Sequence, residues 1–93
     1  MGSEEKNCTG EEIFQKISDL IIKRTHVQKE DIKMDSNFRS DFNLDSMDIL
    51  DVTVAVERAF KVNLDNTEDM EKISNFETFT VGVLVAIVLK DKN

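Results

Sequence analysis

The chain is predicted to fold as a small all-α bundle of four helices, three longer and one short, with a long loop between the first two. Three observations carry that prediction. Apolar residues recur at helical spacing around residues 13–22 and 49–60, the i, i+3, i+4, i+7 pattern of a helix with one buried face. Side chains suited to capping stand just ahead of each helical segment. No segment alternates convincingly with a period of two, so a lone strand would lack a partner. Ninety-three residues suit a single domain, here 9–93, behind a polar tail, residues 1–8, that is expected to be flexible.

Thr9-Gly10-Glu11-Glu12 reads as a capping box, a threonine with glutamate three residues on. The first helix follows to about Arg24, with Ile13, Phe14, Ile17, Leu20 and Ile21 on its apolar face and Ile22 at the margin. Lys23 and Arg24 suit the last turn, where cations complement the helix dipole. Residues 25–45 have no clean period. A connection longer than about 12–15 residues is uncommon in a small domain unless it is functional. Its sparse apolar residues, Val27, Ile32, Met34, Phe38, Phe42 and Leu44, read as pegs that pin an irregular loop over the core. The sequence assigns no partner to Arg39 or Asp41.

The second helix is placed at about Ser46 to Phe60, with Ile49, Val52, Val56 and Phe60 inward and Ala55 and Ala59 beside them. Lys61-Val62-Asn63-Leu64 is a linker with apolar anchors. Asp65-Asn66-Thr67-Glu68 offers caps for a short third helix through about Lys72. Ser74-Asn75-Phe76-Glu77 has the form of a capping box for a fourth helix running to about Leu89. Residues 81–89 are rich in β-branched side chains and also fit a buried strand. The upstream box and the spacing Phe76, Phe79, Val83, Ile87 favour a helix. Those four would face the core and leave Val81, Val85 and Val88 partly outward, as a covered face, a contact surface, or the wall of a bundle that opens around an apolar chain. Gly82, Ala55 and Ala59 would leave room for such a chain.

The charge is unevenly placed. Residues 41–71 hold nine acidic groups against two basic ones, a balance of −7 that equals the net charge of the whole chain. Nucleic acid is an unsuitable partner, because phosphate backbones attract Lys and Arg. Partners with basic patches fit, met through electrostatic steering. The single cysteine, Cys8, cannot form an intrachain disulfide, and nothing demands an oxidising compartment. The longest apolar run, Val81 to Leu89, is nine residues, short of the roughly 20 needed for a membrane span. The first residues carry no apolar signal core, and Lys6 breaks the myristoylation pattern. A cytoplasmic monomer is the expectation.

The chemistry concentrates in Asp41-Phe42-Asn43-Leu44-Asp45-Ser46-Met47-Asp48. A polar loop ends here and the second helix begins. Asp45 is a good N-cap, with Asp48 three residues later in a capping-box arrangement. Ser46 then falls at the first helical position, its hydroxyl outside the bundle. A helix N-terminus presents unpaired N–H groups and partial positive charge, a place that favours a phosphate ester. Asp48 and Asp51 share the face beside Ser46, with Leu50 and Val54 between them and Glu57 further along. That acidic and apolar strip reads either as a solvated helix side or as a docking surface.

This arrangement resembles the acyl carrier protein family. Asp45-Ser46-Met47 stands against that family's Asp-Ser-Leu, after a long loop and at the opening of the second helix. The resemblance runs from about Glu11 to Leu89. It departs at Asn43, where the family commonly has glycine, at Met47 for leucine, and at Leu64-Asp65, where a proline is frequent. Asn43 can still adopt a left-handed conformation. The resemblance implies that Ser46 carries 4′-phosphopantetheine from coenzyme A, with Asp45 and Met47 beside it. The arm's thiol would hold acyl groups as thioesters for fatty-acid, polyketide or related biosynthesis. The chain would be a stand-alone carrier, not an enzyme, but a substrate of a phosphopantetheinyl transferase. Its further partners would be acyl synthases and transferases with basic docking patches.

Two other classes compete. Asp41-x-Asn43-x-Asp45 matches the first ligand positions of an EF-hand calcium loop, but Ser46 stands where glycine is needed and Val52 where a bidentate glutamate is needed. A helical adaptor with an unmodified serine is the other. His26 has no second ligand at metal spacing. No glycine-rich phosphate loop or Ser-His-Asp set is supported. Asn7-Cys8-Thr9 is a glycosylation sequon made idle by the missing secretion signal.

Overall fold

The computed structural model describes residues 9–92. The reading of residues 1–8 as a flexible tail, with Cys8 in it, lies outside the described residues. Four helices form: α1 (Gly10–Arg24), α2 (Ser46–Phe60), α3 (Thr67–Ser74) and α4 (Val81–Lys92), with a single 3-10 turn at Lys29–Asp31. Among the described residues the only β pairing is an isolated bridge between Asn37 and Thr80. The architecture is the predicted bundle of three longer helices and one short.

Helix α1 starts where its caps require. Thr9 Oγ1 accepts the Glu12 N–H at 3.1 Å, and Glu12 Oε1 accepts the Thr9 N–H at 3.2 Å. Two of the unpaired first-turn donors are thereby satisfied reciprocally. Ile13, Ile17 and Ile21 are fully buried, and α1 is the helix against which both α2 and α4 lie. Helix α2 buries Ile49, Val52, Val56 and Phe60, the stripe read from the sequence. Thr53 is buried with them, its hydroxyl satisfied by donating to the Ile49 carbonyl at 2.9 Å. Lys61 ends α2 in the left-handed region, φ 57°, and its N–H bonds back to the Glu57 carbonyl. Glu57 Oε2 accepts the Leu64 N–H at 2.8 Å, which seats the buried Leu64.

The predicted start of α4 was too early. Ser74 closes α3, and residues 75–80 turn before the helix begins at Val81. The pattern Ser74-x-x-Glu77 lost to a tighter local solution, in which the Thr78 N–H bonds the Asn75 carbonyl. Thr80 caps α4 instead, accepting the Val83 N–H on its hydroxyl at 3.2 Å. The turn rotates α4 relative to the expected face. Val81, Val85 and Val88 are buried, not outward, while Phe76 and Val83 are only partly buried. The start of α1 lies over Val85: a Cβ on Gly10 would stand 3.9 Å from its Cγ1.

The first loop is pinned, as its apolar pegs predicted. Ile32, Phe38, Phe42 and Leu44 are buried. Met34 is the exception, 48% exposed, because its backbone does the work. Its carbonyl accepts the Gly82 N–H at 2.7 Å, and the Ser36 carbonyl accepts the Val81 N–H at 2.9 Å. First-turn donors of α4 that helix geometry leaves orphaned are thus met by the loop. The Phe38 ring stacks on Phe79 at 4.7 Å and meets Phe42 edge-on at 5.9 Å. Arg39 and Asp41, unassigned from sequence, both find partners. Arg39 lies 5.6 Å over the Phe76 ring, and Asp41 accepts the Asn37 N–H at 2.6 Å. Gly82 does not leave room for an apolar chain; the loop backbone fills that space, and an added Cβ would stand 2.9 Å from the Met34 oxygen.

At the far end of the bundle, α3 is tied to α4 through a buried acid. Asn66 Oδ1 caps the Asp69 N–H at 2.9 Å, and its amide donates to Asp69 Oδ2 at 2.8 Å. Lys90 Nζ reaches Asp69 Oδ1 at 3.4 Å and Glu68 at 3.5 Å. Asp91 faces the same cluster. Partial desolvation, then the charge of Asp69, push its carboxyl pKa above the usual carboxylate value.

Two predictions follow from these contacts. Gly82→Ala forces the loop away from α4 and is expected to cost about 1–3 kcal/mol, as overpacking does, read as a lower Tm. Asp91 binds its proton more tightly in the folded chain than in the unfolded one. Its stabilising contribution is therefore present in acid and lost as pH rises through the folded pKa. Asp91→Asn is expected to raise Tm at pH 7 in low salt and to leave it unchanged below the carboxylate range.

Candidate functional site

The site is assembled where the pinned loop delivers the chain into α2. Leu44 anchors the last loop residues, buried, with its N–H on the Phe38 carbonyl at 3.2 Å. Asn43 turns the chain with φ 58°, in the left-handed region. An asparagine tolerates that region better than most non-glycine residues. Asp45 follows in extended conformation as the N-cap. Its Oδ1 accepts the Asp48 N–H at 2.9 Å, and Asp48 Oδ2 accepts the Asp45 N–H at 3.4 Å. Both acids therefore serve the helix start while standing exposed to solvent.

Ser46 is the first residue of α2 and is exposed. Among the described residues its hydroxyl makes no hydrogen bond. The N–H groups of Ser46 and Met47 belong to the first turn, whose donors have no intrahelical acceptor. A hydroxyl esterified here would hold an anion at the positive end of the helix dipole. Nothing around it supplies a general base, so the geometry offers a nucleophile to another protein and does not itself activate one.

One exposed face of α2 extends from this serine. Met47 is 72% exposed, and Leu50 and Val54 are each 42% exposed. These three apolar side chains share one stripe of the helix by their three- and four-residue spacing. Asp48 and Asp51 border it, exposed. Glu57 stands apart from this group: it is half-buried and one of its oxygens is engaged by the Leu64 N–H. Asp51 Oδ2 is met by Arg24 Nε at 3.4 Å, a pair between α1 and α2 that residues 27 positions apart give no local signal for. Arg58, one turn beyond Val54, was likewise not singled out; its place in the last turn of α2 was the available signal. The geometry does not favour a calcium loop. The Asp41 and Asp45 carboxylates each hold a backbone N–H, and among the described residues no three His, Cys, Asp or Glu side chains converge as a metal site.

A helical carrier with a single displayed serine is the class of protein that this fold and site define. Residues 15–79 match the profile of the phosphopantetheine attachment site family. The chain is 33% identical over 85 residues to an acyl carrier protein of Lactobacillus johnsonii, covering 91% of this chain and 99% of that one. It is 32% identical over 69 residues to an acyl carrier protein of Petrotoga mobilis, covering 74% of this chain and 80% of the relative. Among solved structures, an acyl carrier protein from Enterococcus faecalis superposes with a TM-score of 0.69 over 90% of this chain and 99% of its own, at 20% identity, a likeness of fold. The chain belongs to the acyl carrier protein family.

The site's rigidity rests on its cap. Asp45→Ala is expected to cost about 1 kcal/mol, the usual loss for an N-cap carboxylate. In a domain of this size that lowers Tm by roughly 4–8 °C, and thermal denaturation followed by circular dichroism reads it. Asp45→Asn, which keeps the acceptor, is expected to retain most of the stability.

Proposed function

We propose that Ser46 is the attachment point of 4′-phosphopantetheine and that the chain acts as a stand-alone, monomeric, cytoplasmic carrier of acyl groups. The observation that carries this reading is the Ser46 hydroxyl, exposed and without a hydrogen-bond partner among the described residues, on the first turn of α2 and inside the matched family segment. The bound arm supplies a thiol that holds the acyl group as a thioester. Everything else is done by the chain's own residues. Asp45 and Asp48 hold the helix start rigid. The first-turn N–H groups of Ser46 and Met47 offer positive charge to the phosphodiester. Met47, Leu50 and Val54 provide apolar contact, and Asp48 and Asp51 draw in basic surfaces by long-range attraction. Glu57 adds its charge at the far end of the same helix.

The carrier is the substrate of a phosphopantetheinyl transferase, which transfers the phosphopantetheine of coenzyme A to Ser46 Oγ and releases the adenosine bisphosphate portion. The cargo belongs to fatty-acid, polyketide or related biosynthesis, and the acidic face meets the synthases and transferases of that route. The relatives that match are named acyl carrier proteins, which supports this range.

Incubation with coenzyme A and a promiscuous phosphopantetheinyl transferase tests the proposal. A mass gain of one phosphopantetheine is expected for the native chain and none for Ser46→Ala. No gain, or a gain that survives Ser46→Ala, would overturn it.

A further inference from the structure

The exposed face of α2 is charged oppositely at its two ends. Asp45 and Asp48 flank Ser46, and among the described residues neither meets a cation. Twelve residues further along stands Arg58, about 18 Å away at 1.5 Å of rise per residue. Arg58 is exposed and forms no ion pair among the described residues. It shares a surface depression with Arg24 of α1, over a floor of Val54, Ala55 and Ala59. Asp51, the acid between the two ends, is engaged by Arg24 at 3.4 Å. Its charge is therefore partly neutralised while the Arg24 guanidinium stays at the rim, 34% exposed. Favourable placement at the C-terminal end of the helix dipole accounts for the sign of Arg58. It does not account for a second arginine, from another helix, converging on the same apolar floor.

We infer that this face docks its partner in one direction: a partner enzyme sets cationic side chains against Asp45 and Asp48 beside the serine, and a carboxylate into the Arg24–Arg58 depression. The occupant of the depression is thus an acidic side chain on the enzyme, argued from charge complementarity, and not a continuation of a basic patch. The apolar stripe of Met47, Leu50 and Val54 supplies contact area between the two poles, which set the register. A uniformly acidic helix lets a basic surface slide along it. Opposite poles penalise the shifted and reversed arrangements by bringing like charges together.

This inference rests on the proposed role of Ser46, and the transferase is the partner that must meet that serine first. The test is steady-state kinetics of phosphopantetheine transfer by the transferase encoded in the chain's own genome, with coenzyme A saturating. The native chain is compared with Asp48→Lys, Arg58→Gln and Arg58→Glu. Arg58 contacts no other side chain, and circular dichroism and Tm confirm that each variant is folded. Arg58→Glu is expected to raise KM by about three- to tenfold with kcat unchanged, the scale on which an exposed attraction becomes a repulsion. Arg58→Gln is expected to fall between, Asp48→Lys to raise KM also, and added salt to narrow all the differences. A KM for Arg58→Glu that is unchanged or lower overturns the inference and leaves the carrier reading standing. Absence of transfer to the native chain overturns both.

Discussion

Between the Met34 carbonyl and the backbone of Gly82 there is no room for a side chain, and the rest of the structure depends on that close approach. The N-terminus of α4 is short of acceptors, as every helix start is. This chain supplies them from 45 or more residues earlier: the Ser36 carbonyl takes the Val81 N–H and the Met34 carbonyl takes the Gly82 N–H. The bonds satisfy α4 and anchor a connection of some twenty residues that has little regular structure of its own. The Phe38 and Phe79 rings stack in the same seam, adding burial and an aromatic contact of the offset kind that aromatic pairs favour. Once Phe38 is fixed, Leu44 is fixed through its bond to the Phe38 carbonyl, and the chain arrives at Asp45 in one geometry. The serine is displayed where it is because a distant helix needed capping.

The functional face is built from a conflict that its residues resolve locally. Asp45 and Asp48 stand close together, which is unfavourable for two exposed carboxylates, yet each accepts the other's backbone N–H. The hydrogen bonds and the helix dipole offset the repulsion. Further along, Arg24 reaches from α1 to Asp51 and alters the charge of α2 without being part of it. An exposed pair of this kind contributes little to stability. Its consequence is the charge pattern that a partner meets.

Much of this was legible in the sequence where the controlling physics is local. Thr9 with Glu12 and Asp45 with Asp48 are reciprocal caps written within four residues, and the stripes of α1 and α2 follow from periodicity alone. The position of Ser46 follows from the Asp45 cap, and the left-handed turn at Asn43 from the few residues that tolerate it. Legibility failed where a segment's partner lies far along the chain. Ser74 and Glu77 match a box that the chain does not use, because Phe79 must reach Phe38 and the Val81 and Gly82 amides must reach the loop. That demand delays α4 and turns Val81, Val85 and Val88 inward. Met34 was read as a side-chain peg when its carbonyl is the anchor, and no pattern distinguishes the two. The pair of Arg24 with Asp51 was invisible for the same reason.

Native-state hydrogen exchange at the Val81 and Gly82 amides tests the central claim most directly. First-turn amides without partners exchange quickly, whereas amides held by the loop open only with the cooperative unit that contains it. The account predicts that these two amides, with that of Phe38, exchange as slowly as buried α2 amides such as Val56. Rapid exchange at Val81 and Gly82 beside a slow core would show that the loop is not bound to α4, and that the start of α2 is held by something else.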